Sequence, residues 1–269
     1  MASRNQLNQE TEEQQDVDDG FGSLGYENKP DVVILWDYDT MLHFCLYSGK
    51  NPDTGERNPE YGEDDIEFVQ GKLTEMTLKI LNKIENRVNP LAVYIWGKGK
   101  GNFRKDIYPE YKAHRPPPNP LINKLYEYAR VAHQMKSMDG CEAEDAVYTL
   151  SCKINHSGVI VAIDSDTLSI PGLHYNYKLD KWFRISEEEA IYYKYKKLCL
   201  SDVGDGVKTT PGIGIKYFEK NFKLGMSEEE YEEQLWKAYL KAWKNDENKA
   251  KEQLELGKQL LLLKNMENC

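Results

Sequence analysis

The 269-residue sequence predicts an α/β fold with a central, mostly parallel sheet flanked by helices. Three short apolar runs, DVVILWDYD (31–39), LAVYIW (91–96) and GVIVAIDSD (158–166), have the length and β-branched content of buried strands. Segments of helical periodicity separate them, so the strands need crossover connections and run parallel. The first and third runs also end in acids, and ligands in such sheets bind beyond the carboxyl ends of the strands.

In chain order, residues 1–30 are polar, acidic and rich in Gln and Asn, and read as a disordered tail. After the first strand, NPDTGERNPEYGEDD (51–65) reads as loop. Residues 64–87 read as a helix with Ile66, Val69, Leu73, Met76, Ile80 and Ile84 on one face. The second strand leads into a basic segment, 97–115, which Pro116, Pro117 and Pro118 stop. A helix is expected at about 120–136 and another from Ala143. After the third strand, LHYNY and KWFRI suggest a strand pair, and Glu187–Leu200 a helix. Residues 227–266 read as charged and helical. The expected divisions are a tail (1–30), an α/β domain (31–200) with its basic segment at 97–120, and a helical region (201–269).

The composition limits the functional classes. No run approaches the roughly 18 consecutive apolar residues of a membrane span, and the N-terminus has no apolar stretch of the secretory kind. Five scattered cysteines, none in a C-x-x-C pair, argue for a reducing cytoplasm and against a zinc site. The net charge is −10, unusual for a nucleic-acid binder, but its distribution matters more. Residues 1–31 hold eight acids against two bases; 97–115 hold six Lys/Arg against two acids; 192–223 hold seven lysines against three acids.

The acids fall in four clusters at element ends: Asp37/Asp39, Glu142/Glu144/Asp145, Asp164/Asp166 and Asp202/Asp205. Acids in a first helical turn answer the helix dipole, which accounts for one or two of the second cluster. If all four converge, their repulsion calls for cations. Magnesium prefers oxygen ligands, and two such ions about 4 Å apart activate a water and stabilise a leaving phosphate oxygen. The five histidines are scattered and read as structural or surface residues. Six residues after Asp205, Pro211–Gly214 turns into a helix, where backbone N–H groups suit a phosphate flanked by Lys208 and Lys216. YYKYKK (192–197) reads as a helix with tyrosines inward and lysines outward.

These residues resemble the structure-specific 5′-nucleases: phage and bacterial 5′–3′ exonucleases and the flap endonucleases. The resemblance covers about 32–225 and rests on VILWDYD, GKGKGNFRKDIYPEYKAHRPPP, CEAEDAVYTL, VAIDSD and SDVGDGVKTTPGIGIK, in that order. It implies a PIN-like nuclease core, a helical arch over the site, and a helix–three-turn–helix element that typically binds duplex DNA and a potassium ion. It assigns metal binding to Asp37, Glu142, Glu144, Asp145, Asp164, Asp166, Asp202 and Asp205. It implies catalytic roles for Asp37, Arg104, Lys112, Asp164 and Asp166, with Arg104 and Lys112 on the phosphate. DNA contacts are implied for Lys98, Lys100, Arg104, Lys112, Arg115, Lys208, Gly212, Gly214 and Lys216. The implied reaction is hydrolysis at 5′ ends or flaps of duplex or branched DNA, with RNA primers on DNA as a second substrate. It uses two Mg2+ ions, Mn2+ substituting. The expected protein is a monomer, cytoplasmic (the host's cytoplasm for a phage protein), with replication or recombination proteins as partners and no membrane association.

The sequence departs from the family pattern in three places. No acid stands at the end of the second strand, where Trp96 or Gly97 lies and Asp39 is the available substitute. Ser201 replaces a usual glycine and Gly206 a usual asparagine. The missing acid keeps open a DNA-junction-binding protein with impaired chemistry. A PIN-like ribonuclease is disfavoured by the Pro211–Gly214 turn, which suits duplex backbone.

Overall fold

The computed structural model describes residues 29–47 and 61–266. Most of the expected tail (1–28), most of the expected loop (51–60) and Cys269 lie outside these residues.

The sheet has six strands: β1 (Asp31–Asp37), β2 (Asn89–Lys98), β3 (Lys136–Met138), β4 (Val159–Val161), β5 (Gly172–Asn176) and β6 (Lys181–Ile185). Their order is β3-β2-β1-β4-β5-β6, and all pair in parallel except β6, which returns antiparallel to β5. The β1 run is apolar on both faces because helices cover both. Ile34, Trp36 and Tyr38 pack with α1 (Asp39–Tyr47), α2 (Ile66–Glu85) and α4 (Leu121–Ala132). Leu35 packs on the other face with Val147 of α5 (Ala143–Lys153).

Past the sheet come α6 (Glu187–Leu200), α7 (Ile215–Asn221), α8 (Glu228–Ala242) and α9 (Glu247–Leu261). Ser186 and Ser227 cap α6 and α8, each accepting from the backbone N–H three residues on. Tyr195, Leu198, Phe218, Tyr231, Leu235 and Leu254 form a second core among these helices. That core takes in α6, which the expected boundary at 200 assigns to the sheet domain.

Several expectations change. The helix expected at 120–136 ends at Ala132, and Lys136–Met138 is strand β3 beside Trp96–Lys98. The third strand is only Val159–Val161, so Asp164 and Asp166 lie on a following 3-10 turn. Helix α1 follows β1 directly, and the basic segment holds one short helix, α3 (Phe103–Ile107). No helix of the described residues is long and apolar enough to cross a membrane.

Candidate active site

Asp37 ends the central strand. It lies two residues after Leu35, so strand alternation aims it at the α5 face, where α5 starts with Glu142 and Glu144. Asp37 is fully buried. Its Oδ2 accepts from Thr40 Oγ1 at 3.2 Å, while its Oδ1 has no partner among the described residues. Burial, then Asp39, then Asp164 raise its pKa well above the usual carboxylate range. Glu144 is raised likewise by burial, then Glu142, then Asp37. Asp164 has an open surface but protein on most sides. That loss of bulk water, followed by Asp166, pushes its pKa up to about 6. These acids crowd one another, and among the described residues none of the three makes an ion pair within 4.0 Å.

Glu142, Asp205 and Asp166 are answered by bases. Glu142 pairs with Lys112, and Asp205 with Arg115 and, at 3.6 Å, with Lys112. The Tyr111 hydroxyl lies 2.8 Å from both Glu142 Oε2 and Asp205 Oδ2; with one proton, it donates to one at a time. Burial opposes ionisation of Glu142, yet Lys112 and Arg104 outweigh it and lower its pKa. The Lys112 N–H donates to Asp205 O at 2.8 Å, so this segment is bound by backbone as well as by charge. Asp166 pairs with Lys197, whose own pKa burial would lower but Asp166, then Asp202 and Asp164, raise. Asp202 Oδ1 accepts from the Asp205 N–H at 3.0 Å, and burial followed by Asp205 raises its pKa.

Two implied site residues, Arg104 and Asp145, meet each other. Arg104 is only 3% exposed and Asp145 fully buried. They form a bidentate pair at 2.5 and 2.9 Å, and Arg104 also donates to the carbonyls of Leu260 and Leu262. Asp145 accepts as well from the Lys264 N–H at 2.9 Å. With both carboxylate oxygens and the guanidinium engaged, the pair joins α3, α5 and the end of α9. Lys197 is the converse case. The tyrosine face of α6 is inward at Tyr195, but Lys197 turns into the acids rather than outward. Its spacing, five residues before Asp202, was the available signal.

The other implied DNA contacts lie around the cluster. Lys98, Lys100, Lys208 and Lys216 are exposed, as are Gly212 and Gly214, and Arg115 is about half exposed. A Cβ at position 97 would meet Met135 Sδ at 2.5 Å, so any side chain there requires that flexible methionine to move. Trp96 is the register partner of Asp37. Asp39 instead reaches the end of β2, accepting from the Lys98 N–H at 3.3 Å and from the Tyr126 hydroxyl.

No three His, Cys, Asp or Glu side chains are gathered into a metal-holding set among the described residues. The donors nevertheless fit a hard divalent ion. A buried carboxylate oxygen without a donor, as at Asp37, is costly unless a cation or proton meets it. Asp37, Glu144 and Asp164 present only oxygen, the ligand magnesium prefers.

The sequence profile described as "5′-3′ exonuclease, N-terminal resolvase-like domain" matches residues 62–196, half of the chain. The chain belongs to this 5′–3′ exonuclease family. The family match spans Lys112, Glu142, Glu144, Asp164 and Asp166, and stops short of Asp37 and the Asp202–Gly214 stretch. A protein named 5′-3′ exonuclease from Buchnera aphidicola is 27% identical over 211 residues, 72% of this chain and 70% of its own. Flap endonuclease Xni of Shewanella pealeana is 29% identical over 145 residues, 46% of this chain and 55% of its own. Among solved structures, T5 D15 protein co-crystallised with metal ions is 14% identical with a TM-score of 0.48. It covers 86% of this chain and 98% of its own. A mutant of T5 5′-exonuclease is also 14% identical, with a TM-score of 0.46 over 85% of this chain.

Proposed function

We propose that this chain is a metal-dependent nuclease that hydrolyses phosphodiesters at 5′ ends or flaps of duplex or branched DNA. The observation that carries the reading is Asp37: buried, with one unpartnered oxygen, at the end of the central strand beside Asp39, Glu144 and Asp164. Asp37, Glu144 and Asp164 would hold one magnesium ion; Asp166, Asp202 and Asp205 are the candidates for a second, with manganese an alternative. When bound, such ions lower the pKa of a water nucleophile and stabilise the leaving oxygen.

The chain's own residues do the remaining work. Lys112 and Arg115 balance Glu142 and Asp205 in the free protein and are positioned to exchange those partners for phosphate. Lys197 pairs with Asp166 and lies near enough to Asp202 to feel its charge. Lys98 and Lys100 on one side, and Lys208 and Lys216 on the other, supply charge for the DNA backbone. Asp39 takes the place beside the end of β2 that Trp96 and Gly97 leave without an acid.

The test is cleavage of an end-labelled 5′-flap DNA, with and without magnesium, by the wild type and Asp37→Ala. Magnesium-dependent products from the wild type and a loss of at least ~100-fold in the variant are expected, as for removal of a main charge-stabilising group. Binding without cleavage in magnesium and manganese alike would sink the nuclease reading. It would leave a junction-binding protein on a nuclease fold.

A further inference from the structure

Outside the acidic cluster, where β2 ends against α4, an open recess of about 290 Å³ is lined by Lys98, Gly99, Asn123, Tyr126, Glu127 and Arg130. Its floor is the ring of Tyr126, whose buried hydroxyl donates to Asp39. That bond fixes the ring. Lys98 Nζ stands 4.5 Å from the ring centre and the Arg130 guanidinium 6.0 Å from it. Both cations are exposed, and neither forms an ion pair among the described residues, although Glu127 also lines the recess. In a protein of net charge −10, two cations are thus gathered on one aromatic ring.

We infer that this recess binds one phosphate of the nucleic-acid strand, next to the phosphate held at the acidic cluster. The inference rests on the nuclease reading above. Lysine supplies a compact point charge and arginine a planar fork matched to phosphate oxygens, while Asn123 adds a neutral amide. The link to the cluster is short. Asp39, two residues from Asp37, touches both Tyr126 and the Lys98 backbone. A phosphate in the recess therefore sets the position of the strand relative to Asp37. Arg130 ends a mixed helix outside both basic segments, so the charge pattern alone does not select it.

The experiment compares the wild type, Arg130→Gln and Arg130→Lys. Binding to a labelled 5′-flap DNA is measured in EDTA from 50 to 300 mM salt, alongside magnesium-dependent cleavage by the wild type. Arg130→Gln should weaken binding about 3- to 10-fold at 0.1 M salt and reduce the salt slope by about one, with Arg130→Lys keeping the slope. Thermal unfolding of the variants verifies that they are folded. If the wild type cleaves DNA and Arg130→Gln keeps the full slope, this inference alone falls. If inorganic phosphate stabilises the wild type but not Arg130→Gln while their DNA slopes agree, the recess is a small-anion site and the inference again falls. If the wild type neither binds nor cleaves, the nuclease reading falls and takes the inference with it.

Discussion

Ser201 sits in backbone geometry that glycine adopts freely, with φ 62° and ψ −176°. The strain is held by its hydroxyl, which accepts from the Thr210 N–H at 3.0 Å and lies 2.7 Å from Thr210 Oγ1. Gly206, the other departure in this loop, has φ 80°, a left-handed conformation that glycine and asparagine tolerate best. Both departures thus keep the loop that aims Asp202 and Asp205. Lys197 has the opposite dependence on context, because its fit comes from acids on two other segments. Lys197→Met should lower the melting temperature without divalent ions by leaving Asp166 unpaired. Added magnesium should then raise it more than in the wild type; equal shifts would remove Lys197 from the site. His174 gives a pH signature away from the acids. It is buried, 2.8 Å from Ile170 O, with its pKa pushed down to about 4. Below pH 6.5 the unfolded chain binds a proton that the folded chain refuses until about pH 4. Stability contributed by neutral His174 is therefore lost as pH falls through that window, by up to about 3 kcal/mol. Denaturant unfolding at pH 7 and 4.5 should show a smaller drop in His174→Phe than in the wild type.

Helix α3 is five residues long and could not persist alone. It is held by Arg104, which ties it to Asp145 on α5 and to the last carbonyls of α9. The same pair accepts the Lys264 N–H, so the chain after α9 closes over it. Removing one partner of such a buried pair leaves a bare charge, at a cost of about 3–5 kcal/mol. Arg104→Ala should therefore shift the denaturant midpoint markedly. A variant of wild-type stability with only slowed cleavage would restore the phosphate role. This role of Arg104 was not legible in GKGKGNFRKDIYPEYKAHRPPP, since a surface arginine and a buried one look alike in sequence. The strand positions were legible, because runs apolar on both faces have few other homes. β3 was not, because three residues carry no periodicity.

Net charge and local charge work against each other across the structure. An acidic protein must bind a polyanion through confined basic patches, so its affinity should depend steeply on salt. Lys208 and Lys216, both exposed beside the turn before α7, are predicted to contribute about one unit of slope each. Replacing both with alanine should lower the slope of log affinity against log salt by about two; an unchanged slope would clear that turn of any phosphate contact.

What this sequence determined by itself is local and periodic. It set the parallel sheet, the acids at the ends of β1 and after β4, the caps of α6 and α8, and the order of motifs that marks the family. Each depends on neighbours within a few residues, where propensity and patterning act. The tertiary structure alone decided which acids stay unpartnered. Asp145 meets a buried arginine, Asp166 a lysine from α6, and Glu142 and Asp205 share Tyr111 and Lys112, while Asp37 keeps a bare oxygen. Charge pairing is a matter of distance in space, and segments far apart in the chain are brought within a few ångströms only by the packing of helices onto the sheet.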